Sequence, residues 1–103
     1  MTFKLATTGE ILHALGLRLR AQRLAQSLSQ RELAEMAGLS LGALRKLEDS
    51  GLSSMETMVR TVQALGLAGD LEELFTLKRQ SIAQMEQAEL ASQRQRAPRR
   101  GRP

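Results

Sequence analysis

With 103 residues, a net charge of +4 and no cysteine, tryptophan or tyrosine, the chain suits one small domain with an aliphatic core. This composition excludes a disulfide framework and a thiolate zinc site, and the one histidine, His13, has no second histidine with which to share a metal. No apolar run approaches the roughly 20 residues of a membrane span, and no signal peptide is evident, so we expect a cytoplasmic, all-α protein that needs no cofactor.

The first predicted helix runs from about Thr8 to Gln26 and follows an N-terminal lead of residues 1–7. Either Thr7 or Thr8 can cap it, and Glu10 in its first turn is favourable for the helix dipole. Apolar residues recur along one face at helical spacing. They are Ile11, Leu12, Leu15, Leu19 and Leu24.

The next two predicted helices are short and nearly adjacent. Ser29 and Glu32 have the spacing of a capping box at the start of the second helix, and Gly38 ends that helix. Ser40 is the expected cap of the third helix, which runs to about Glu48. The apolar residues expected to face inward are Leu33, Ala34 and Met36, followed by Leu44 and Leu47.

A break at residues 49–51 precedes the fourth predicted helix, which we expect to open with a second capping box formed by Ser53 and Glu56. Gly66 and Gly69 follow it, and the same pattern at residues 70–73 predicts a fifth element through Leu71, Leu74 and Phe75. The inward face of the fourth helix is expected to hold Met55, Met58, Val59, Val62 and Leu65.

The sequence therefore predicts a helical domain over residues 8–76, a further C-terminal helix within 77–93 and a disordered arginine-rich tail over 94–103. The tail holds five arginines and no acid, and accounts for the positive net charge. Within the domain, residues 17–47 carry six cations and two acids, whereas residues 48–75 carry six acids and one arginine. One side of the domain should attract phosphate, and the other should repel it.

The segment from Ser29 to Glu48 is the strongest functional pattern. Only Gly38, Leu39 and Ser40 separate its two short helices, so the helices must cross steeply and the second protrudes with one face free. A helix about 10–12 Å wide fits the major groove of B-DNA. The N-terminus of the first helix of the pair, at Gln30, can then lie against the phosphate backbone.

Residues from about Leu19 to Leu67 resemble the Cro/repressor, or Xre-type, helix-turn-helix family. This resemblance implies a five-helix, lambda-repressor-like DNA-binding domain, and a transcriptional regulator of bacterial or phage origin rather than an enzyme. Its residues stand in the family's order and spacing. They are Leu19, Arg23, Leu28-Ser29-Gln30, Leu33-Ala34, Gly38-Leu39-Ser40, Leu44, Leu47-Glu48, Gly51 and Leu65-Gly66.

The resemblance also implies roles for individual residues. Arg23 and Glu48 would form an ion pair that ties the first helix to the end of the third. Gln30 would anchor to a phosphate and brace the recognition helix, and the turn at Gly51 would place backbone N–H groups near phosphate. The other implied DNA contacts are Arg31 and the exposed positions of the third helix, namely Ser40, Leu41, Gly42, Arg45 and Lys46.

Arg45 is the candidate base reader, because a guanidinium can bond guanine O6 and N7 together. A phosphate contact is the alternative for Arg45, and both Arg45 and Lys46 can also serve only to solubilise an exposed helix face. Leu41 and Gly42 depart from the family, since many relatives carry polar base-reading residues there. We therefore expect DNA shape and phosphate contacts to supply more of the specificity.

Two regulatory functions remain open at this point. A homodimeric repressor would read a palindromic operator with half-sites about 34 Å apart, with predicted helices four and five as the dimer interface. A longer N-terminal lead that includes Thr7-Thr8-Gly9-Glu10-Ile11-Leu12, together with the spacing, the size and a single domain without an effector module, also resembles HipB-like antitoxins. This resemblance implies autorepression and binding of a HipA-type serine/threonine kinase. A stand-alone phage repressor or a restriction–modification controller protein shares the same core. Each of these would be found at the nucleoid when bound to DNA.

Overall fold

Every regular element in the described residues, 2–78 and 82–96, is a helix, and of residues 82, 95 and 96 only the backbone is described. The predicted all-α class is therefore confirmed. In chain order, this computed structural model has the short 3₁₀ helix η1 (Phe3–Leu5), α1 (Thr8–Ala25), α2 (Gln30–Ala37), α3 (Leu41–Ser50), α4 (Met55–Ala64), the 3₁₀ helix η2 (Ala68–Leu71) and α5 (Ile82–Arg96).

The first two α-helices begin at reciprocal caps. The Thr7 hydroxyl accepts from the Glu10 N–H at 3.1 Å, and the Glu10 carboxylate accepts from the Thr7 N–H at 2.8 Å. Ser29 and Glu32 repeat this pair at 3.0 and 2.8 Å. Each pair satisfies two N–H groups at the helix start, one at the cap residue and one at the third helical residue. Both predicted helix starts are confirmed, and Thr7 is the cap of α1.

The cap at Ser29 predicts a pH-dependent contribution to stability. The N–H of Ser29, and then its hydroxyl, lower the pKa of the Glu32 carboxyl below its ordinary value of 4.5. Because the folded state then binds this proton less readily than the unfolded chain, the contribution is fully present above the unfolded pKa. It is lost as the pH falls through the lower, folded pKa.

We therefore expect wild type to be more stable than Glu32→Gln in urea near neutral pH, and the difference to shrink steadily on acidification below the unfolded pKa. Comparing the two proteins cancels the titration of every other carboxyl group. A difference that stayed constant between neutral pH and about pH 3 would contradict this interpretation.

The start of α3 at the cap Ser40 is as predicted, but its end is two residues later than the predicted end at Glu48. Asp49 and Ser50 continue the helix, and the Ser50 hydroxyl donates to the Lys46 carbonyl at 2.8 Å. The break therefore begins at Gly51 rather than at Asp49 and extends to Ser54. The φ of Gly51, +76°, lies in the left-handed region.

The cap of α4 is Ser54 rather than Ser53. The Ser54 hydroxyl accepts from the Thr57 N–H at 3.0 Å. The predicted capping box of Ser53 and Glu56 is wrong. With Ser54 as the cap, Glu56 is the second residue of α4 rather than the third, and its carboxylate pairs with Arg60 at 2.9 Å.

The fifth predicted element of the domain is only the short 3₁₀ helix η2, and residues 72–75 form a turn. The predicted box of Asp70 and Glu73 does not form, because the Asp70 N–H that the Glu73 carboxylate would bind donates to the Leu67 carbonyl instead. Phe75 has a φ of +58° and is 95% exposed, so its predicted place in a helix is wrong.

The core lies where α2, α3 and α4 meet. Leu33, Ala34, Leu44 and Leu65 form its centre, and Leu19 and Leu28 pack against them. The predicted inward positions Met36 and Met55 are 55% and 77% exposed. Ala37, Leu47, Thr61 and Val62 are also buried.

Two glycines bring α1 and the end of α3 into backbone contact. A Cβ on Gly16 would lie 3.0 Å from the Glu48 carbonyl oxygen and closer still to that of Leu47. A Cβ on Gly51 would overlap the backbone of Leu12. This close approach of the two helices sets the position of Arg23 on α1 relative to Glu48 on α3.

The chain divides after Glu72 into two units, and α5 belongs to the second. This helix begins within the predicted range 77–93 and continues to Arg96. Of the predicted disordered tail 94–103, residues 94–96 are helical and residues 97–103 lie outside the described residues. No helix in the described ranges is long and apolar enough to cross a membrane.

Candidate nucleic-acid interface

The turn between α2 and α3 is closed by backbone hydrogen bonds. Gly38 has a φ of +69°, which lets its N–H donate to the Glu35 carbonyl and lets the Leu39 N–H donate to the Ala34 carbonyl at 2.8 Å. Ser40 then caps α3 directly, with its hydroxyl accepting from the Ala43 N–H at 3.1 Å. The helix-turn-helix therefore has the short, defined turn that the sequence predicts.

The two sides of α3 differ sharply in exposure. Leu44 and Leu47 are buried in the core. Gly42, Arg45 and Lys46 are exposed, and their spacing of three and four residues places them on one face of the helix. Of the other predicted contacts, Ser40 is exposed and Leu41 is half-buried. The structure thus brings the predicted α3 residues together at one surface.

Arg23 and Glu48 form an ion pair between α1 and α3, with side chains only 7% and 0% exposed. The pair is bidentate: Arg23 Nε lies 2.7 Å from Glu48 Oε2, and Arg23 Nη2 lies 3.0 Å from Glu48 Oε1. Arg23 Nη1 also donates to the Leu28 carbonyl at 2.9 Å. Charge-assisted bonds of this geometry are strong and directional, so the pair holds α3 in a defined place against α1.

Gln30 connects this ion pair to the exposed face of α3. Its Nε2 donates to Glu48 Oε1 at 3.0 Å, which turns its Oε1 toward Arg45. Arg45 Nε donates to that oxygen at 3.3 Å. A continuous line of side-chain hydrogen bonds therefore runs from Arg23 through Glu48 and Gln30 to Arg45. We call this line the Arg23–Arg45 network.

The two remaining predicted contacts, Arg31 and Gly51, differ in exposure. Arg31 is exposed at the second residue of α2, beside the helix N-terminus. Gly51 is buried against α1, and its N–H donates to the Leu47 carbonyl at 2.8 Å. Because that N–H is already used within the chain, the structure does not bring Gly51 to the exposed surface, and its observed role is in packing.

The structure adds a small concave surface beside Lys46 that the sequence interpretation missed. Ser53, Ser54 and Thr57 line it together with Lys46, so the N-terminus of α4 and a cation face the same space. This arrangement suits a phosphate, because both the helix dipole and the ammonium group favour an anion. Ser54 and Thr57 are three residues apart, which is the spacing of a helix cap and the N–H that it accepts. The predicted cap, Ser53, lies one residue earlier.

His13 and Gln26 also make contacts that the sequence interpretation did not anticipate. His13 Nδ1 lies 3.1 Å from the Asp49 carbonyl, at the end of α3. Gln26 Nε2 donates to the Leu65 carbonyl at 2.8 Å, which ties the residue after α1 to the end of α4. His13 therefore contacts the end of α3 and Gln26 the end of α4, and neither lies on the exposed face of α3.

Comparison with known proteins identifies the same segment. A family model described as helix-turn-helix matches residues 19–71, which covers α2 to η2 and the C-terminal part of α1. No curated protein matches the chain. The matched range includes Arg23, Gln30, Arg45 and Glu48, the four members of the Arg23–Arg45 network. The chain belongs to the Xre/Cro-type helix-turn-helix family of DNA-binding transcription regulators.

Proposed function

We propose that the protein reads a specific DNA operator by placing α3 in the major groove, with Arg45 contacting a guanine. The observation that carries this proposal is the anchoring of Arg45 through its Nε on Gln30. In the described part of the chain, neither Nη atom of Arg45 has a hydrogen-bond partner. The end of the guanidinium is therefore free to bond guanine O6 and N7 at the same time.

Two further exposed cations suit phosphate contacts. Arg31 lies beside the N-terminus of α2, and Lys46 lies beside that of α4. Of the six cations in residues 17–47, Arg23 is buried and paired with Glu48, and the other five are exposed against only two acids, which favours binding of this segment to a polyanion. Phosphate contacts of this kind orient a protein on the duplex, whereas base contacts specify the sequence.

Measuring DNA affinity of Arg45→Ala tests the base-reading role. We expect a loss of about 1–3 kcal/mol on the preferred operator and a relaxed preference at one base position. Arg31→Ala is the matched control, since it removes an exposed arginine from a helix start. It should weaken binding to all sequences similarly and lower the salt dependence. An Arg45→Ala variant with the same pattern as Arg31→Ala would show a phosphate contact instead.

We also propose that the protein binds a palindromic operator as a homodimer, since two copies of α3 are needed to contact half-sites about 34 Å apart. An apolar groove between α2 and α4, lined by the exposed Met36 and Met55 together with Val59, supports a contact with a second copy. Sedimentation at micromolar concentration tests this proposal, and a monomer with and without operator DNA would contradict it.

The HipB-like role is a narrower proposal: an autorepressing antitoxin that binds a HipA-type kinase. Its support is the resemblance in the N-terminal lead. Within this lead, Phe3–Leu5 form η1, and the Arg18 guanidinium lies 4.9 Å from the centre of the Phe3 ring. Co-purification of a HipA-type kinase from the native host, compared with a Phe3→Ala variant, tests this role. A stand-alone repressor would bind its own upstream DNA and retain no kinase.

A further inference from the structure

Nothing in the described part of the chain requires a glycine at position 42. It is the second residue of α3, its φ is not in the left-handed region, and a Cβ built on it meets nothing within 4 Å. Gly16 and Gly51 differ, because a Cβ on either would strike backbone atoms. Glycine within a helix is also less favourable than alanine, since it loses more backbone freedom on folding.

Gly9 shows that open space alone does not identify a contact. It too is the second residue of a helix, α1, and a Cβ on it also meets nothing within 4 Å. What distinguishes Gly42 is its position. It is exposed and lies three and four residues before Arg45 and Lys46, on the face of α3 that carries the proposed DNA contacts.

We propose that Gly42 is the point at which the backbone of α3 itself touches the base edges in the major groove, so that operator affinity depends on the missing side chain. This inference rests on the proposed function and adds to it a specificity-determining position. Leu41 precedes Gly42 and is half-buried, so the first turn of α3 offers an apolar surface to the bases. The Ser40 hydroxyl is used as the cap of α3, because it accepts from the Ala43 N–H.

The chemistry of this surface favours thymine. The C5-methyl group of thymine is the apolar feature of the major groove, and apolar side chains contact it. A helix backbone without a Cβ can approach that methyl more closely than one with a side chain. We therefore expect the base next to Gly42 and Leu41 to be a thymine, read by contact rather than by hydrogen bonds.

Gly42→Ala tests the proposal, because stability and DNA affinity should move in opposite directions. We expect the Tm to rise by about 2–6 °C because alanine has the higher helix propensity. We expect affinity for the preferred operator to fall about tenfold or more. The matched control is Gly9→Ala, at the same position in α1. It should raise Tm similarly and leave operator affinity within about twofold of wild type.

A Gly42→Ala protein that binds the operator as tightly as wild type would overturn the proposal. The thymine assignment is tested separately by replacing each operator thymine with uracil, which removes only the methyl group. One replacement per half-site should weaken wild type by several-fold and have a smaller effect on Gly42→Ala. An operator in which no replacement has an effect would overturn the assignment. If wild type binds no DNA specifically, the proposed function itself is wrong. If wild type binds specifically and Gly42→Ala binds equally well, only the inference about Gly42 is wrong.

Discussion

Gly51→Ala is expected to lower the free energy of unfolding by about 3 kcal/mol or more, among the largest effects of any single methyl group added to this chain. Two costs add at this position. A φ of +76° is unfavourable for any residue with a Cβ, and the new Cβ would overlap the backbone of Leu12 on α1. Since backbone cannot rotate aside as a side chain does, α1 and α3 must separate.

Gly66→Ala is the control that isolates the first cost. Gly66 has the same φ of +76°, but a Cβ on it meets nothing within 4 Å. We expect a loss of about 1 kcal/mol there. Urea denaturation followed by far-UV circular dichroism measures both variants, since the chain has no tryptophan or tyrosine to report by fluorescence. Equal losses would show that the contact with Leu12 relaxes without cost.

Glu48→Ala is expected to destabilise the fold by about 3–5 kcal/mol, because it leaves the Arg23 charge without its carboxylate at a site that is almost closed to water. Arg23 is 7% exposed on its side chain and has one other hydrogen bond, to the Leu28 carbonyl. The variant also removes the acceptor for Gln30 Nε2. Stability in urea measures the loss.

The double variant Arg23→Met/Glu48→Leu tests whether that loss comes from the unpaired charge of Arg23 or from independent contributions of the two side chains. If the unpaired buried charge is the cause, the double variant will be more stable than Glu48→Ala, since apolar residues of similar size fill the same space without a desolvation cost. If the losses of the single variants Arg23→Met and Glu48→Leu simply add to that of the double variant, the side chains contribute independently, and the pair is not the unit that stabilises the α1–α3 contact.

The helix starts were the most predictable part of the fold. The caps formed by Thr7 with Glu10 and by Ser29 with Glu32 involve residues three apart, so the sequence contains the whole interaction. Gly38 was predictable for the same reason. The fifth domain element was not, because the capping pattern at residues 70–73 competes with a turn already begun at Leu67.

Burial was less predictable because it depends on how helices pack against one another. Met36 and Ala37 are neighbours on α2, yet the packing of α2 against the other helices buries the alanine and leaves the methionine exposed. The pairing of Arg23 with Glu48 spans 25 residues and was inferred from family resemblance rather than spacing. The contact of Gln30 with Arg45 depends on the orientation of the Gln30 amide, which Glu48 sets.

The Arg23–Arg45 network bears on how operator preference can change through mutation. Arg45 shares a chain of hydrogen bonds with the carboxylate that joins α1 to α3, so we expect substitutions at Gln30 or Glu48 to alter folding and the proposed base contact of Arg45 together. In the described residues, Leu41 and Gly42 take no part in that chain. If α3 reads DNA as proposed, substitutions in its first turn should therefore change operator preference with the least effect on the fold.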